Sequence, residues 1–375
     1  MAGGVSAATI NKVSVVKVSE QSIREVLASV TLPEDLGVMD SSNSYVRKLR
    51  IQGAKVSIEL LFYFPVSRIE PGIIEAFGSA VMAIPGVDTV DVTIQTKIQA
   101  RAVQSGVTRN PSVKNIIAIG SGKGGVGKST TTVNLALALM QEGAKVGILD
   151  ADIYGPNQPF MLGATEKPEI TPIKQFKPVD RYGIQSMSIG YLVNEKTPMV
   201  WRGPMVSGAL QQLFRDTLWG ELDYLLVDLP PGTGDIQLTL AKKIPVSGAV
   251  IVTTPQDVAL QDAQKAFEMF NKVNIKTLGV VENMVTHVCT QCGHEEAIFG
   301  ADGASEFCHN NSLPLLGQLP LALQIRQDIS QGKPSVIADP DSAIANRYRM
   351  IARKMAATLA QQPKDYSEKF NVVVE

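Results

Sequence analysis

All three cysteines and all three histidines of the 375-residue chain lie between His287 and His309. Cys289 and Cys292 form a Cys-x-x-Cys pair within the stretch HVCTQCGH. A tetrahedral zinc site or an iron–sulfur cluster needs four such ligands, and one pair supplies only two thiolates. The pair therefore predicts a metal site whose other two ligands come from elsewhere.

A zinc site closed within one chain is one possible source of those ligands. Cys308 follows Cys292 after 15 intervening residues, a spacing that suits a zinc ribbon, and His294 would complete a Cys₃His set. The stretch FGADGASEFCHNN instead predicts a short helix on which Cys308 and His309 point apart. Cys308 fits a buried small hydrophobic residue better, and the zinc site stays an alternative.

A second motif predicts phosphate binding. The strand KNIIAIG runs into SGKGGVGKSTTT, which matches G-x-x-x-x-G-K-[ST] from Gly122 to Ser129 and opens a helix. In such a loop, backbone N–H groups surround the phosphate oxygens, Lys128 reaches the terminal phosphates, and the Ser129 hydroxyl can hold Mg²⁺. The residues expected to bind the nucleotide are Gly122, Lys123, Gly124, Gly125, Val126, Gly127, Lys128, Ser129 and Thr130.

Three aspartates follow apolar runs that predict strands. YLLVDLPPGTGD places Asp228 at the end of a strand, where a carboxylate can bind the metal through water, as in a Walker B motif. KVGILDAD brings Asp150 and Asp152 to the end of another strand, at the edge where open α/β sheets bind ligands. One of these two carboxylates could orient the attacking water.

The elements that must position these residues alternate from residue 113 to residue 361. The runs KNIIAIG, KVGILD, YLLVDL, GAVIVTT and TLGVVEN predict short buried strands separated by helices. Such alternation indicates an α/β domain, a mostly parallel sheet covered by helices on both faces. With the phosphate loop at its edge, the expected fold is that of a P-loop NTPase.

A small α+β domain is predicted before it, over residues 18–99. Its expected order is α-β-β-α-β, beginning with a helix opened by the capping box Ser22-Ile-Arg-Glu25. Residues 100–112 lack periodicity and are interpreted as a linker. Residues 1–17 and 362–375 are expected to be terminal tails.

Charge and composition exclude some classes of function. A net charge of −1 and a pI near 6.4 give no general electrostatic reason to bind nucleic acid. No apolar run reaches the roughly 18 residues typical of a membrane span, and no signal-peptide pattern is present. An odd number of clustered cysteines fits a reducing compartment. The expectation is a cytoplasmic protein with neither a membrane nor a nucleic acid as partner.

The phosphate loop carries a second lysine, Lys123, that an ordinary P-loop does not need. KGGVGKS, with KVGILDAD and DLPPGTGD, resembles the deviant Walker A class that includes MinD, ParA and the nitrogenase iron protein. WRGPM, CTQCG and PLLGQLPL further resemble the Mrp/ApbC iron–sulfur cluster carriers, over about residues 113 to 360. Residues 18 to 98 resemble the small domain, associated with iron–sulfur assembly, that often precedes this ATPase.

The resemblance implies roles for individual residues. Lys123 would reach across a homodimer to the partner's ATP and act as an arginine finger does. Asp152 would orient the catalytic water, and Asp150 and Asp228 would lie near Mg²⁺. Asn283 would contact adenine.

The resemblance also implies a function: an ATP-hydrolysing homodimer that carries a [4Fe–4S] cluster from an assembly scaffold to apo iron–sulfur proteins. Cys289 and Cys292 of both subunits would hold the cluster at the two-fold axis. The N-terminal domain holds no cysteine, so docking or regulation is expected of it. Two alternatives are a positioning ATPase of MinD or ParA type and a reductase like the nitrogenase iron protein.

Overall fold

The computed structural model describes residues 18–30, 42–193, 203–289 and 291–365. The expected tail 1–17, most of the tail 362–375 and the first two residues of WRGPM lie outside these ranges. Contacts divide the chain into two units. The smaller ends at Gln95, and the larger runs from Thr96 and also includes Tyr63–Arg68.

The smaller unit is an α+β fold with a three-stranded sheet in the order β1-β2-β3. Its apolar side chains alternate along β2, where Val56, Ile58, Leu60 and Phe62 are buried while their neighbours are more exposed. That period of two is what places one face of a strand against helices. The elements are α1 (Glu20–Ser29), β1 (Val46–Gln52), β2 (Lys55–Phe62), α2 (Glu70–Met82) and β3 (Thr89–Thr96).

The start of α1 corrects the predicted capping box. Ser19, not Ser22, is the N-cap, and its hydroxyl accepts a hydrogen bond from the backbone N–H of Ser22 at 3.1 Å. Ser22 itself lies in the first turn. Glu25 follows Ser22 at the spacing of a capping box, whereas the residue three positions after Ser19 is Ser22 itself. The backbone conformation decides between the two serines, because Ser19 is extended, as an N-cap must be.

The larger unit has the predicted α/β architecture. Its strands are β4 (Val113–Gly120), β5 (Val146–Asp150), β6 (Val179–Arg181), β7 (Ile184–Ser188), β8 (Leu222–Asp228), β9 (Gly248–Thr253), β10 (Thr277–Glu282), β11 (His287–Val288), β12 (Glu295–Glu296) and β13 (Leu315–Gln318). Its helices are α3 (Lys128–Gln141), α4 (Gln158–Met161), α5 (Gly203–Asp216), α6 (Asp235–Lys243), α7 (Asp257–Lys272), α8 (Gly303–Asn310), α9 (Leu323–Ser330), α10 (Ser335–Ala338) and α11 (Ala343–Ala360).

The main sheet has the order β13-β10-β9-β4-β8-β5-β7-β6. Neighbouring strands are parallel except β6, which is antiparallel to β7 at one edge. Every residue of β5, β8, β9 and β10 is buried, which requires helices on both faces of the sheet. The predicted fold class is confirmed.

Residues 100–112 form no helix or strand, but they do not behave as a free linker. The side chain of Gln104 is buried and donates to the backbone oxygens of Ala241 and Ile244, at 2.8 and 2.6 Å. Its own oxygen accepts from the N–H of Val246 at 2.8 Å. The segment is therefore fastened to the larger unit by a fully bonded glutamine, which composition alone could not reveal.

None of the helices in the described ranges has the length and hydropathy needed to cross a bilayer.

Candidate functional site

Three neighbouring strands of the sheet bring the phosphate loop and two of the predicted aspartates to one edge. β4 ends at Gly120 and leads into the phosphate loop, and β8 and β5 end at Asp228 and Asp150. In the register of these parallel strands, Ile119 lies beside Asp228 and Asp228 beside Asp150. The carboxyl ends of β4, β8 and β5 therefore meet, as ligand sites of open α/β sheets require.

The glycines of the phosphate loop are needed for conformation or for space. Gly125 and Gly127 both have φ of +83°, a left-handed backbone that other residues adopt with strain. At Gly122, a Cβ atom would lie 2.1 Å from the backbone of Asp262 on α7. The loop is therefore seated closely on α7, and α3 starts directly after it with Lys128.

Lys128 and Asp228 form the buried centre of the site. Lys128 is 6% exposed, and its ammonium donates to the Asp228 carboxylate, which is fully buried. The same carboxylate accepts from the hydroxyl of Thr132 at 3.3 Å and from the side-chain amide of Gln158 at 2.8 Å. Gln158 also donates to the backbone oxygen of Ser129 at 3.1 Å. Sequence reasoning missed Gln158, because no motif marks it.

Asp150 lies beside Asp228 in the same buried region. Its oxygens accept from the N–H groups of Asp152 and Gln158, at 3.2 and 3.1 Å, and from the Ser188 hydroxyl at 3.0 Å. Burial, and then the charge of Asp228, raise the pKa of Asp150 to about 7. Burial also raises the pKa of Asp152, although the charge of Lys128 opposes that shift.

This donor set fits Mg²⁺ and a nucleotide phosphate. Two adjacent buried carboxylates repel each other, and a divalent cation would relieve that repulsion. The hydroxyl of Ser129 lies 3.4 Å from the Lys128 ammonium, which in turn contacts Asp228. The Ser129 oxygen and the two carboxylates are therefore close to one another. Gln158 adds a buried side-chain oxygen that has no hydrogen-bond partner within the described residues. Such an atom can accept from a metal-bound water.

The second lysine is held away from this centre. The ammonium of Lys123 donates to the side-chain oxygen of Gln256 at 3.2 Å. Gln256 immediately precedes α7. The Lys123 side chain is half-buried. The backbone oxygen of Lys123 accepts a hydrogen bond from the Ser121 hydroxyl at 2.9 Å.

The cysteine pair lies in a small hairpin separate from the phosphate loop. β11 and β12 pair antiparallel, with His287 beside Glu296, and the N–H of Cys289 donates to the backbone oxygen of His294 at 2.8 Å. Gly293 has φ of +73° and donates its N–H to the backbone oxygen of Cys289 at 2.9 Å. The N–H groups of Cys292 and Gln291, and then the Cys292 thiol, lower the pKa of Cys289 by donating to its sulfur.

These contacts prepare a metal-binding thiolate. Backbone N–H groups directed at a sulfur stabilise its anion, the form that binds metals. Cys289 is half-buried and Cys292 is exposed. The pair is therefore accessible to a ligand from outside the chain.

A sequence profile described as the NUBPL iron-transfer P-loop NTPases of the ParA group matches residues 112–356. The chain belongs to this family. The resemblance to iron–sulfur carriers with a deviant Walker A loop is thereby confirmed.

Individual relatives of this NTPase agree with that assignment. An iron–sulfur cluster carrier protein of Pseudomonas fragi is 54% identical over 275 residues, which cover 73% of this chain and 96% of that protein. One of Haemophilus influenzae is 44% identical over 343 residues, which cover 91% of this chain and 92% of that protein. A solved nucleotide-binding protein of Archaeoglobus fulgidus, in complex with ADP, is 36% identical with a TM-score of 0.53; the match covers 62% of this chain and 90% of that chain.

Cys308 stands apart from the pair in this NTPase. It lies on α8 and is buried, whereas its neighbour His309 is exposed. Burial and the charge of Glu282 raise the pKa of Cys308 to about 12, which opposes metal binding at neutral pH. Throughout the described ranges, no three His, Cys, Asp or Glu side chains come close enough to hold a metal ion. The Cys₃His zinc alternative is therefore not assembled within the chain.

Asn283 braces the phosphate loop. Its amide nitrogen donates to the backbone oxygen of Val126 at 2.9 Å, and its oxygen accepts from the N–H of Met284 at 3.0 Å. A Cβ atom on Gly127 would lie 2.2 Å from this amide, so the glycine leaves room for the brace. These bonds use one N–H of the amide and one lone pair of its oxygen. The adenine contact expected from the resemblance stays a prediction.

An apolar cavity of about 220 Å³ opens beside Gly127 and Thr130. Leu321, Ile325 and Ile329 line it from α9 and the segment before that helix. The cavity adjoins the phosphate loop and has an apolar lining, so it suits the base of a nucleotide whose phosphates lie in the loop. The lining residues belong to the stretch PLALQIRQDI after β13. Its apolar residues have the spacing of any helix that packs on a core, so the sequence does not mark them as part of a cavity.

Proposed function

We propose that this P-loop NTPase is an ATP-hydrolysing carrier that binds a [4Fe–4S] cluster as cargo and passes it to apoproteins. The observation that carries the proposal is the Cys289–Cys292 pair, with Cys292 exposed and with N–H groups of the hairpin directed at the Cys289 sulfur. The names of the relatives, iron–sulfur cluster carrier proteins, support the same cargo. We further infer a cytoplasmic protein that receives the cluster from an assembly scaffold.

In this proposal, the nucleotide is held mainly by the phosphate loop. The N–H groups from Gly122 to Thr130 surround the phosphates, and Lys128 exchanges the Asp228 carboxylate for the terminal phosphates. Ser129, Asp228 and Asp150 would hold Mg²⁺, which would supply positive charge to neutralise the phosphates. The base enters the apolar cavity beside Gly127.

Hydrolysis needs an oriented water and compensation for the charge that develops on the phosphates. Asp152 is near enough to Lys128 for that charge to oppose the rise in its pKa, and its backbone N–H donates to Asp150. We infer that its carboxylate orients the attacking water. Lys123 is placed on the same loop but is not needed for the contacts of Lys128. In a homodimer, it would supply positive charge to the partner's nucleotide.

Two-fold symmetry would complete the cluster site. A surface element near the axis of a symmetric dimer meets its own copy, so one cysteine pair per chain provides four thiolates. Each subunit then holds the cluster by only two bonds, on a hairpin exposed to solvent. Movement of the subunits can loosen such a site, as transfer requires.

Anaerobic reconstitution with iron and sulfide, followed by transfer to an apoprotein, tests this function. We expect about one [4Fe–4S] cluster per dimer, in line with four thiolates per cluster, and activation of the acceptor protein. Tightly bound zinc at one ion per monomer that depends on Cys308 would contradict the proposal. If a variant that no longer binds ATP still transfers the cluster, the protein is a carrier, but its NTPase site has no role in the transfer.

A further inference from the structure

The contact between Lys123 and Gln256 joins the phosphate loop to a helix of its own chain. The ammonium lies 3.2 Å from the Gln256 side-chain oxygen, and the two residues are separated by 133 positions. Within the described ranges, this is the hydrogen bond found for the Lys123 side chain. It directs the lysine toward α7.

The Gln256 side chain has no other structural task in the described residues. Gln256 is the N-cap of α7, but its side chain makes no capping bond. The helix start is held by its backbone oxygen, which accepts from the N–H groups of Ala259 and Leu260 at 2.8 and 3.1 Å. The side chain can therefore be changed without uncapping α7.

The backbone beside Lys123 is packed against α7 of its own chain. Gly122 is so close to Asp262 of α7 that a single added carbon would lie 2.1 Å from its backbone. The Lys123 ammonium cannot both rest on α7 of its own chain and extend to a nucleotide of another.

We propose that Gln256 is a positioning residue that retains Lys123 within its own chain, so that ATP-dependent dimerisation requires exchange of this bond for the partner's phosphate. The inference rests on the proposed function, in which Lys123 acts across the dimer. Gln256 then sets the threshold for dimer formation. A stronger bond to Lys123 weakens the dimer, and a weaker bond strengthens it.

Two substitutions should act in opposite directions. Gln256→Ala removes the acceptor, and we expect the dimer dissociation constant with a non-hydrolysable ATP analogue to fall by about three- to tenfold. Gln256→Glu turns the bond into an ion pair, and the constant should rise by a similar factor. Sedimentation measures both. A merely structural role of Gln256 would shift both variants toward weaker dimers.

A double-mutant cycle ties the effect to the lysine. In a Lys123→Ala background, neither Gln256 substitution should change dimerisation. Gln264→Ala is the matched control, because Gln264 is a half-buried glutamine on the same helix that bonds Asn311 instead. Shifts of equal sign, or shifts that persist without Lys123, would overturn the inference.

The outcomes also separate the inference from the function on which it rests. If the unmodified chain does not dimerise with ATP, the proposed dimer fails, and the role of Gln256 fails with it. If the chain dimerises and needs Lys123 but ignores both Gln256 substitutions, only the inference about Gln256 is wrong.

Discussion

The nucleotide site and the cysteine hairpin are built in opposite ways. Asp150 and Asp228 are fully buried at the ends of β5 and β8, and Lys128, 6% exposed at the start of α3, donates to Asp228. The hairpin consists of two strands of two residues each, and Cys292 is exposed. The polar groups of the first site are bonded mostly within the chain, whereas the second site is open where a ligand would bind.

The cost of burying charge explains the difference. A buried ion that loses its partner costs several kcal/mol, so the nucleotide site must satisfy its charges within the chain. An exposed thiol incurs little desolvation, so the hairpin can leave ligand positions open without loss of stability. A change in the nucleotide site should therefore affect both stability and binding. A change in the cysteine pair should affect the cargo alone.

Removal of either cysteine of the Cys289–Cys292 pair is the most severe test of this contrast. Cys289→Ala or Cys292→Ala should abolish the reconstituted cluster, because two of the four thiolates of the proposed dimer are lost. The melting temperature should hardly change. Cys308→Ala should do the reverse, keeping the cluster but lowering the melting temperature, because Cys308 is buried. Iron and sulfide analysis with thermal unfolding measures both effects, and cluster loss in Cys308→Ala would break the comparison.

Lys128→Ala tests the buried site. ATP affinity should fall by about 100-fold or more, because the terminal phosphates lose a charge-assisted partner. The melting temperature should change as well, since Asp228 loses the ammonium that it accepts from. Lys145→Ala is the control, because the Lys145 side chain is 69% exposed. Calorimetric titration with ATP measures the affinity, and a value equal to that of the unmodified chain would remove the assigned role of the loop.

Asp152→Ala should separate binding from hydrolysis. In the proposed arrangement, the phosphate contacts do not involve this side chain, so ATP affinity should change little. Turnover should fall by about 10- to 100-fold, because an unoriented water attacks less efficiently. Phosphate release at saturating ATP measures the rate. Unchanged turnover would mean that another carboxylate orients the water.

The local order of the nucleotide site was predictable, because it follows from patterns along the chain. Apolar runs ending in Asp150 and Asp228 predict parallel strands, and parallel strands bring their carboxyl ends to one edge. The glycines of the loop predict a turn around phosphate. The structure confirms that the runs carrying these residues are strands and that their ends are adjacent.

The partners of these residues were not predictable, because they depend on packing between distant segments. Gln158 reaches Asp228 across 70 positions, Asn283 reaches Val126 across 157, and Gln256 reaches Lys123 across 133. Amide side chains have no periodic signature, and a glutamine in a loop resembles any solvated residue. The same limit explains Gln104, whose buried bonds fasten a segment that composition favoured as a linker.

The smallest expected effect concerns the buried acidic pair and its response to pH. Asp150 has a folded pKa of about 7, raised from the usual 3.8 by burial and by Asp228. At a pH between 3.8 and about 7, Asp150 keeps its proton in the folded chain but has released it in the unfolded chain. The free energy of unfolding contributed by this group therefore falls as pH rises, and the full penalty is reached above pH 7.

Asp150→Asn removes this titration and isolates its contribution. Asparagine loses one of the hydrogen bonds that Asp150 accepts, but this loss does not depend on pH. From pH 6 to pH 8, without Mg²⁺, the unmodified chain should lose about 1 kcal/mol of stability relative to Asp150→Asn. Added Mg²⁺ should reduce that difference, because the cation favours the ionised carboxylate. Urea unfolding at both pH values measures it. A difference that stays constant from pH 6 to pH 8 would mean that Asp150 is already ionised, and that the nucleotide site does not carry the electrostatic repulsion that distinguishes it from the hairpin.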